Sequence, residues 1–270
     1  LSHRISLWLD SNGLDFGESM KHTIDLLASI GASSVRSWKG TSASKTVAQP
    51  PKNLILFDQE ACSDCRFVRE AFTELNLNVM VVPCPEGGKS IKKLKQESGS
   101  SEFPRIFDPN TDKNILGRDN IIAYLYKEYR GSVMPSQFES TWINNLASKL
   151  ASTIRLNAGK KYVPAKSPKH PLTLYSFESS PYSRIVREHL CELELPYLLI
   201  NLGKQQWSDM GPAKFHFTLK AYRPIENTKR DAFFKKHGNV QVPFLIDPNT
   251  GEELFESLDI VKYLDKTYKK

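Results

Sequence analysis

LILFDQEACSDCRFVREAFTEL, residues 54–75, is the stretch from which the rest of the chain can be read. Leu54 to Phe57 form an apolar run suited to a buried strand, and a short polar turn follows. Two cysteines, Cys62 and Cys65, then open a helix whose apolar residues Phe67, Val68, Ala71, Phe72 and Leu75 recur at helical spacing. A cysteine at such a strand-to-helix turn meets unpaired N–H groups and the positive end of the helix dipole, both of which favour a thiolate. Cys-x-x-Cys in that position is the sequence form of a thiol–disulfide redox site.

The stretch occurs twice. LTLYSFESSPYSRIVREHLCEL, residues 172–193, aligns with it without a gap at an offset of 118, and Val-Arg-Glu falls at 68–70 and again at 186–188. FPRIFDPNT from Phe103 matches VPFLIDPNT from Val242 at an offset of 139. Upstream, Leu27-Ala28-Ser29, Ser33, Val35, Arg36 and Gly40 correspond to Leu146-Ala147-Ser148, Ser152, Ile154, Arg155 and Gly159. Blocks agreeing in the same order mean that one unit of domain size has been copied.

With 270 residues and an internal copy, the chain reads as two domains. Apolar content of 40% and charged content of 25% belong to a soluble globular chain rather than a disordered one. The formal charge of +7, from 37 basic and 30 acidic residues, is spread along the chain, so nucleic acid is not an expected partner. No apolar run approaches the ~20 residues of a membrane helix, so no transmembrane segment is expected. Cys62, Cys65, Cys84 and Cys191 are too few and too unevenly placed for a disulfide framework, which points to a reducing compartment. No second Cys or His pair stands at zinc-site spacing, so no metal is expected. The first residue is Leu1, for which a removed targeting peptide is one explanation and trimming another.

Residues 1 to about 15 show little periodicity and are expected to be an extended or irregular arm. From Phe16 onward, Met20, Ile24, Leu27 and Ile30 repeat every three or four residues, an amphipathic helix that has to bury its stripe against something. Thr41 to Lys52, small, polar and proline-terminated, is the linker that closes this first segment of residues 1–52. Residues 53–131 then read β-α-β-α-β-β-α. Val79 to Val82 is the second strand of a parallel, right-handed crossover, and a basic helix opens after Gly87-Gly88. A strand at Arg105 to Phe107, the turn Asp108-Pro109-Asn110-Thr111, a return strand near Ile115-Leu116 and a helix from Asn120 to Tyr129 complete the unit. Residues 132–170 hold the copied amphipathic helix with Phe138, Trp142, Ile143 and Leu146, and residues 171–270 repeat the order. The second copy carries 21 extra residues, the difference between the two offsets, including Trp207, Phe215, Phe217, Tyr222, Phe233 and Phe234 among lysines and arginines. An elongated second helix with its aromatics turned inward is the expected form; a protein partner docking on residues 203–240 is the alternative.

Strand, Cys-x-x-Cys, helix, strand, helix, then x-Pro, hairpin and closing helix resembles the thioredoxin fold. More closely it resembles the glutaredoxin and glutathione transferase N-terminal domain, whose site follows LYxFxxCPYCxxVRE, then VPxLxDPNTG, then ESxDIxxYL. The second unit has LYSFESSPYSRIVRE, VPFLIDPNTG and ESLDIVKYL, broken only at the two cysteines. The first unit keeps the cysteines but has LGRDNIIAYL in the third position. From about residue 16 the chain is similar to the tandem glutathione-transferase-N-terminal-like proteins of bacteria and plastids. The resemblance implies an α/β fold of two tandem thioredoxin-like domains, each with a preceding amphipathic helix, and no all-helical domain after the closing helix at Lys270. It also implies a chloroplast location if the source is eukaryotic, and a cytoplasmic one otherwise.

The same resemblance implies roles for particular residues. Cys62 is the nucleophile and Cys65 the resolving thiol; Asp64 beside them opposes ionisation, while Arg66 and Arg69 favour it. Phe103-Pro104 and Val242-Pro243 correspond to the family's cis-proline step, where glutathione pairs with the backbone. Glu256 and Ser257 match the pair that holds the γ-glutamyl end, whereas Gly117, Arg118 and Asp119 stand there in the first unit, with Arg118 a carboxylate binder. Ser180 and Ser183 replace the cysteines in the second unit, and Ser180 is the candidate for a serine-type glutathione site. Cys84 in its Pro-Cys-Pro turn reads as a rigid turn or a backup thiol, and Cys191 as a core hydrophobe. Arg36 and Arg155 clamp carboxylates of their own repeat or of the other.

Three functions are thus in play. The first is a glutathione-linked thiol–disulfide oxidoreductase acting at Cys62 and Cys65 on glutathione or a protein thiol. The second is a non-catalytic assembly subunit of a larger plastid or membrane-associated complex, built from degenerate thioredoxin-like modules. The third is a serine-type glutathione transferase activity in the second unit.

Overall fold

The computed structural model describes residues 2–44, 47–139, 141–211 and 221–270. After a long helix α1 (Ser2–Val35), the first unit runs β1 (Leu54–Asp58), α2 (Ser63–Glu74), β2 (Val79–Pro83), α3 (Lys89–Ser98), β3 (Arg105–Asp108), β4 (Lys113–Leu116) and α4 (Arg118–Leu125). Helix α5 (Trp142–Ile154) precedes the second unit: β5 (Leu172–Ser176), α6 (Pro181–Glu192), β6 (Tyr197–Asn201), α7 (Lys229–His237), β7 (Phe244–Asp247), β8 (Glu252–Phe255) and α8 (Ser257–Tyr268). Each unit is therefore β-α-β-α-β-β-α, with β1–β2 and β5–β6 parallel and the hairpin strands antiparallel.

The two units do not sit as beads on a string. Strand β2 pairs with β6, and one eight-stranded sheet results, in the order β4-β3-β1-β2-β6-β5-β7-β8. The joint is antiparallel, with Val79 opposite Leu199, Met80 opposite Leu198 and Val81 opposite Tyr197. Met80 and Leu198 occupy the same place in their repeats, so the joint is symmetric about that pair. Each unit thereby covers the strand edge that the other would otherwise expose. The apolar residues merge as well: Leu56, Phe67, Val68 and Ile122 of the first unit belong to one cluster with Leu174, Val186, Leu199 and Leu264 of the second.

Helix α2 is buried over nine consecutive residues, Cys65 to Thr73, because it is covered on both flanks. The cover is crossed between repeats. Helix α1, which precedes the first unit, packs on α6 of the second, while α5, which precedes the second, packs on α2 of the first. Arg36 Nη1 donates to Asn144 O at 3.2 Å and Arg155 Nη1 to Asp25 O at 2.6 Å, so α1 and α5 run antiparallel and symmetrically across each other.

Two expectations fail here. The helix α1 begins at Ser2, not after an irregular arm, and the sequence offers no proline before Pro50 to stop it. Its stripe is also turned outward: Ile24 and Leu27 are each 63% exposed, and the inward face is Ser29, Ala32 and Ser33. Small residues let α1 approach closely, and their hydroxyls are used, Ser29 Oγ donating to Pro181 O and Ser33 Oγ to Ser179 O, both at 2.9 Å.

The extra residues of the second unit are not an elongated helix. Helix α7 has nine residues against ten in α3, and the insertion contributes a 3-10 turn, Trp207–Asp209. Its aromatics do turn inward, Phe233, Phe234 and Tyr222 packing with Tyr175, Phe244 and Phe255. Buried Asp209 anchors the insertion, accepting from Tyr222 at 2.8 Å and pairing with Arg230 at 3.4 Å. Phe215 and Phe217 lie outside the described residues, and Trp207 is 75% exposed. Among the described residues no helix is long and apolar enough to cross a membrane.

The repeated Asp-Pro-Asn-Thr turn has a structural purpose. Asp108 accepts from the N–H of Asn110 at 2.8 Å and from the hydroxyls of Tyr124 and Tyr129, and Asp247 does the same with Asn249, Tyr263 and Tyr268. Each hairpin is thereby tied to the helical stretch that follows it.

Candidate functional site

Helix α2 starts where β1 ends, and Cys62 is its N-cap. The N–H of Cys65 points at Cys62 Sγ at 3.3 Å. Cys62 is partly exposed, whereas Cys65 is fully buried. The two thiols are pushed in opposite directions. A hydrogen bond from Cys65 lowers Cys62 below the ordinary thiol value; burial works against it, the N–H groups of Cys65 and Asp64 reinforce it, and Asp58 opposes it. Burial lifts Cys65 well above that value, and its bond to Cys62 adds to the rise. Neighbouring residues act differently from the sequence expectation. The carboxylate of Asp64 is drawn to Arg118 at 3.2 Å, Arg66 donates to Ser152 at 3.1 Å, and Arg69 is committed elsewhere, so the opposing carboxylate is Asp58.

Arg69 belongs to a buried lattice on the symmetry element between the units. Its Nη1 holds both oxygens of Asp58, at 2.7 and 2.9 Å, and its Nε reaches Glu178 of the second unit at 3.0 Å. Arg187 mirrors it, donating through Nε and Nη2 to Glu60 of the first unit at 3.2 and 3.0 Å. Burial would raise Glu178, but Arg187, Arg69, Arg184 and Arg66 hold it down at about 2. Burial dominates at Asp58 and pushes it up to about 6 even against Arg69. The repeated Val-Arg-Glu is explained by this lattice. Its arginine crosses to the other unit, and its glutamate takes the duplicated arginine of its own repeat: Arg36 on Glu70 at 2.6 and 3.0 Å, Arg155 on Glu188 at 2.6 and 2.9 Å. Gly40 and Gly159 complete the pattern. Each has positive φ, and a Cβ at either would stand 2.7 to 2.8 Å from the Cβ of Glu178 or Glu60 of the other unit.

A polar cleft of about 460 Å³ opens at the start of α2, lined by Ser63 and Asp64, the residues that follow Cys62 in the chain, by Gly117 to Asn120 at the start of α4, and by Asn145 and Lys149 of α5. Arg118 lies at its back, 8% exposed, bonded to Asp119 at 2.8 Å and Asn145 at 2.8 Å and stacked over Phe67. The Phe103-Pro104 bond is cis, and Pro104 O accepts the N–H of Gly117 at 3.0 Å, which ties that segment to the same entrance. Arg118 and Asp119 thus share a cleft with Ser63 and Asp64, the two residues that separate Cys62 from Cys65. The sequence reading missed the contribution of α5. Its Asn145 and Lys149 wall the cleft and Ser148 Oγ donates to Ser63 O at 3.0 Å, and the repeated Leu-Ala-Ser block was the available signal.

In the second unit Ser180 caps α6 as Cys62 caps α2, accepting from the N–H of Ser183 at 3.3 Å. It is only 3% exposed. Thr41 bonds to the hydroxyl of Ser179 above it, and Ala61, which stands in that place in the first unit, has no hydroxyl to offer. The Val242-Pro243 bond is cis, Glu256 is exposed and accepts from Gln241 at 2.6 Å, and Ser257 is buried against His22 of α1 at 2.9 Å. Helix α1 therefore lies over the segment around Ser180 and on Ser257 of this unit. Cys84 is buried, with burial pushing it up to about 12, and burial likewise raises Cys191 well above the ordinary thiol value.

A family model described as the glutathione S-transferase N-terminal domain matches residues 56–133 and again residues 174–270. No curated protein and no solved structure matches the chain.

Proposed function

The chain belongs to the glutathione S-transferase N-terminal-domain family, in two tandem copies, and from that membership we propose thiol–disulfide exchange carried out by the first copy alone. The observation that supports it most is the contrast between equivalent helix caps: Cys62 is partly exposed, followed in the chain by the Ser63 and Asp64 that line a polar cleft, and Ser180 is sealed. The lowering of Cys62 favours the thiolate that attacks, and the raising of Cys65 favours its protonated form until it is needed. In the reaction Cys62 Sγ attacks one sulfur of a substrate disulfide and displaces the other as a thiolate. Cys65 then gives up its proton and attacks Cys62 Sγ; the second substrate thiol leaves, and the two electrons gained by the substrate are balanced by a Cys62–Cys65 disulfide.

The cleft fits a glutathione-like thiol. Arg118 and Lys149 bring positive charge and Asp64 and Asp119 negative charge, a set suited to an amino-acid end carrying both charges, in a volume typical of small-molecule sites. Two glutathione molecules, one bound in the cleft and a second attacking the mixed disulfide that the first forms with Cys62, return the disulfide to two thiols and leave as glutathione disulfide. The work calls for a compartment kept reduced, the plastid stroma or the cytoplasm. The test is glutathione-dependent reduction of a small disulfide: Cys62→Ser is expected to lose it by at least about 100-fold. Unchanged turnover in Cys62→Ser sinks the proposal.

A second reading, a non-catalytic assembly module, is favoured by the covered second site and the committed arginines. No calorimetric signal at millimolar glutathione would select it. The serine-type transferase at Ser180 needs α1 displaced, and predicts conjugation that survives loss of both Cys62 and Cys65.

A further inference from the structure

Helices α1 and α5 lie outside both family matches and turn their large apolar side chains to solvent. Met20 (51%), Ile24 and Leu27 (63% each) and Ile30 (37%) on α1 run beside Trp142 (74%), Leu146 (48%), Leu150 (46%) and Ile154 (38%) on α5, the two helices so close that a Cβ added at Gly31 would stand 3.7 Å from Ile154 Cγ2. We propose that this face is the interface of a homodimer, in which the antiparallel α1–α5 pair of one chain stacks on the same pair of a second copy as a four-helix layer.

Three observations select a second copy. The first is area. The exposed apolar surface of these side chains comes to roughly 800 Å², which exceeds the few hundred Å² that monomers usually show and matches what each partner contributes to a standard interface. The second is symmetry. Leu27 and Leu146, and likewise Val35 and Ile154, are equivalent positions of the repeat, and the antiparallel crossing carries one helix onto the other. A face that superposes on itself is suited to the isologous contact of a two-fold dimer. The third is charge. Over residues 17–39 and 141–158 the sequence has three lysines, Lys21, Lys39 and Lys149, against two carboxylates, Glu18 and Asp25, while Arg36 and Arg155 are spent on Glu70 and Glu188. That is not the strongly basic flank with which an amphipathic helix binds an anionic lipid surface. Trp142 on α5 and Trp38 just after α1, both exposed, suit the anchors of such an interface.

Sedimentation equilibrium of the full chain up to about 50 µM tests the proposal. The wild type is expected at twice the mass of the chain. Leu27→Glu/Leu146→Glu, two solvent-facing changes that leave the cleft intact, is expected to raise the dissociation constant by at least about 100-fold, because four carboxylates enter an apolar layer. Far-UV circular dichroism and melting should stay as in the wild type at monomeric concentrations. Ile24→Lys is the second variant should the first not fold, and it must weaken the dimer in the same way. A wild-type monomer at the highest concentration overturns the proposal, as does a dimer indifferent to both variants. A wild-type monomer that floats with phosphatidylglycerol-containing vesicles overturns it in favour of a lipid surface.

Discussion

Replacement of Arg36 tests whether the duplicated arginines hold the crossed helices in place. Arg36 is 3% exposed; its fork grips Glu70 at 2.6 and 3.0 Å, its third nitrogen reaches Asn144 O of α5, and its plane lies 4.4 Å from the Phe67 ring. Arg36→Ala leaves Glu70, 1% exposed, as a buried carboxylate without its cation. Breaking a buried pair from one side costs about 3–5 kcal/mol, far more than the pair itself contributes, because the abandoned charge has no solvent. With about 2.1 cal/mol/K per residue of unfolding entropy over 270 residues, a loss of about 4 kcal/mol lowers Tm by about 7 °C. Urea unfolding and a thermal melt should both report it, as one transition, since the cores of the two units are one cluster. Arg36→Met/Glu70→Leu, which removes both charges and keeps the volume, should recover most of the loss. A fall of less than about 1 kcal/mol, or a double variant no better than the single, refutes the reasoning.

Further outcomes follow from the same geometry. Alkylation of Cys62 by iodoacetamide should rise with pH through a midpoint below the ordinary thiol value of about 8.5, and Cys65→Ala, by removing the largest lowering influence, should move that midpoint up; a wild-type midpoint at or above 8.5 contradicts the site. Burial lowers His22, against the pull of Asp25, Glu256 and Asp259. The unfolded chain therefore takes up the proton first, and the contribution of the His22–Ser257 contact is full above pH about 6.5 and lost as pH falls toward the folded value. Amide protection factors in α1, corrected for the intrinsic pH dependence of exchange, should fall between neutral and mildly acidic pH, and His22→Gln should flatten that response. Gly40→Ala and Gly159→Ala should each cost at least about 2 kcal/mol by denaturation, since positive φ and a contact below 3 Å both resist a Cβ. Arg118→Gln is expected to raise the KM for glutathione about 10-fold or more with kcat little changed, whereas a fall in kcat alone would move Arg118 out of the binding role.

Much of this molecule was legible in one dimension. The strand, Cys-x-x-Cys and helix of residues 54–75, their copy 118 positions on, and the two x-Pro-containing hairpins determined both units, because helical and strand periodicities and turn chemistry are local properties of a chain. Ser180 and Cys62 looked like equivalent candidates for the same reason: local sequence places both at a helix cap. What distinguished them was the crossing of α1 and α5, which puts Ser33 and Thr41 over Ser179 and leaves Cys62 partly open. A periodic stripe such as Met20, Ile24, Leu27 and Ile30 tells that a helix has two faces, but not which one meets its own chain. Here the small face of Ser29, Ala32 and Ser33 won, since only it allows backbones to come close enough for hydroxyls to reach the carbonyls of α6. The fusion of two sheets through β2 and β6, and the arginine lattice above it, likewise belong to tertiary structure. Charges 109 and 127 residues apart in sequence neutralise one another only after both units have folded and met.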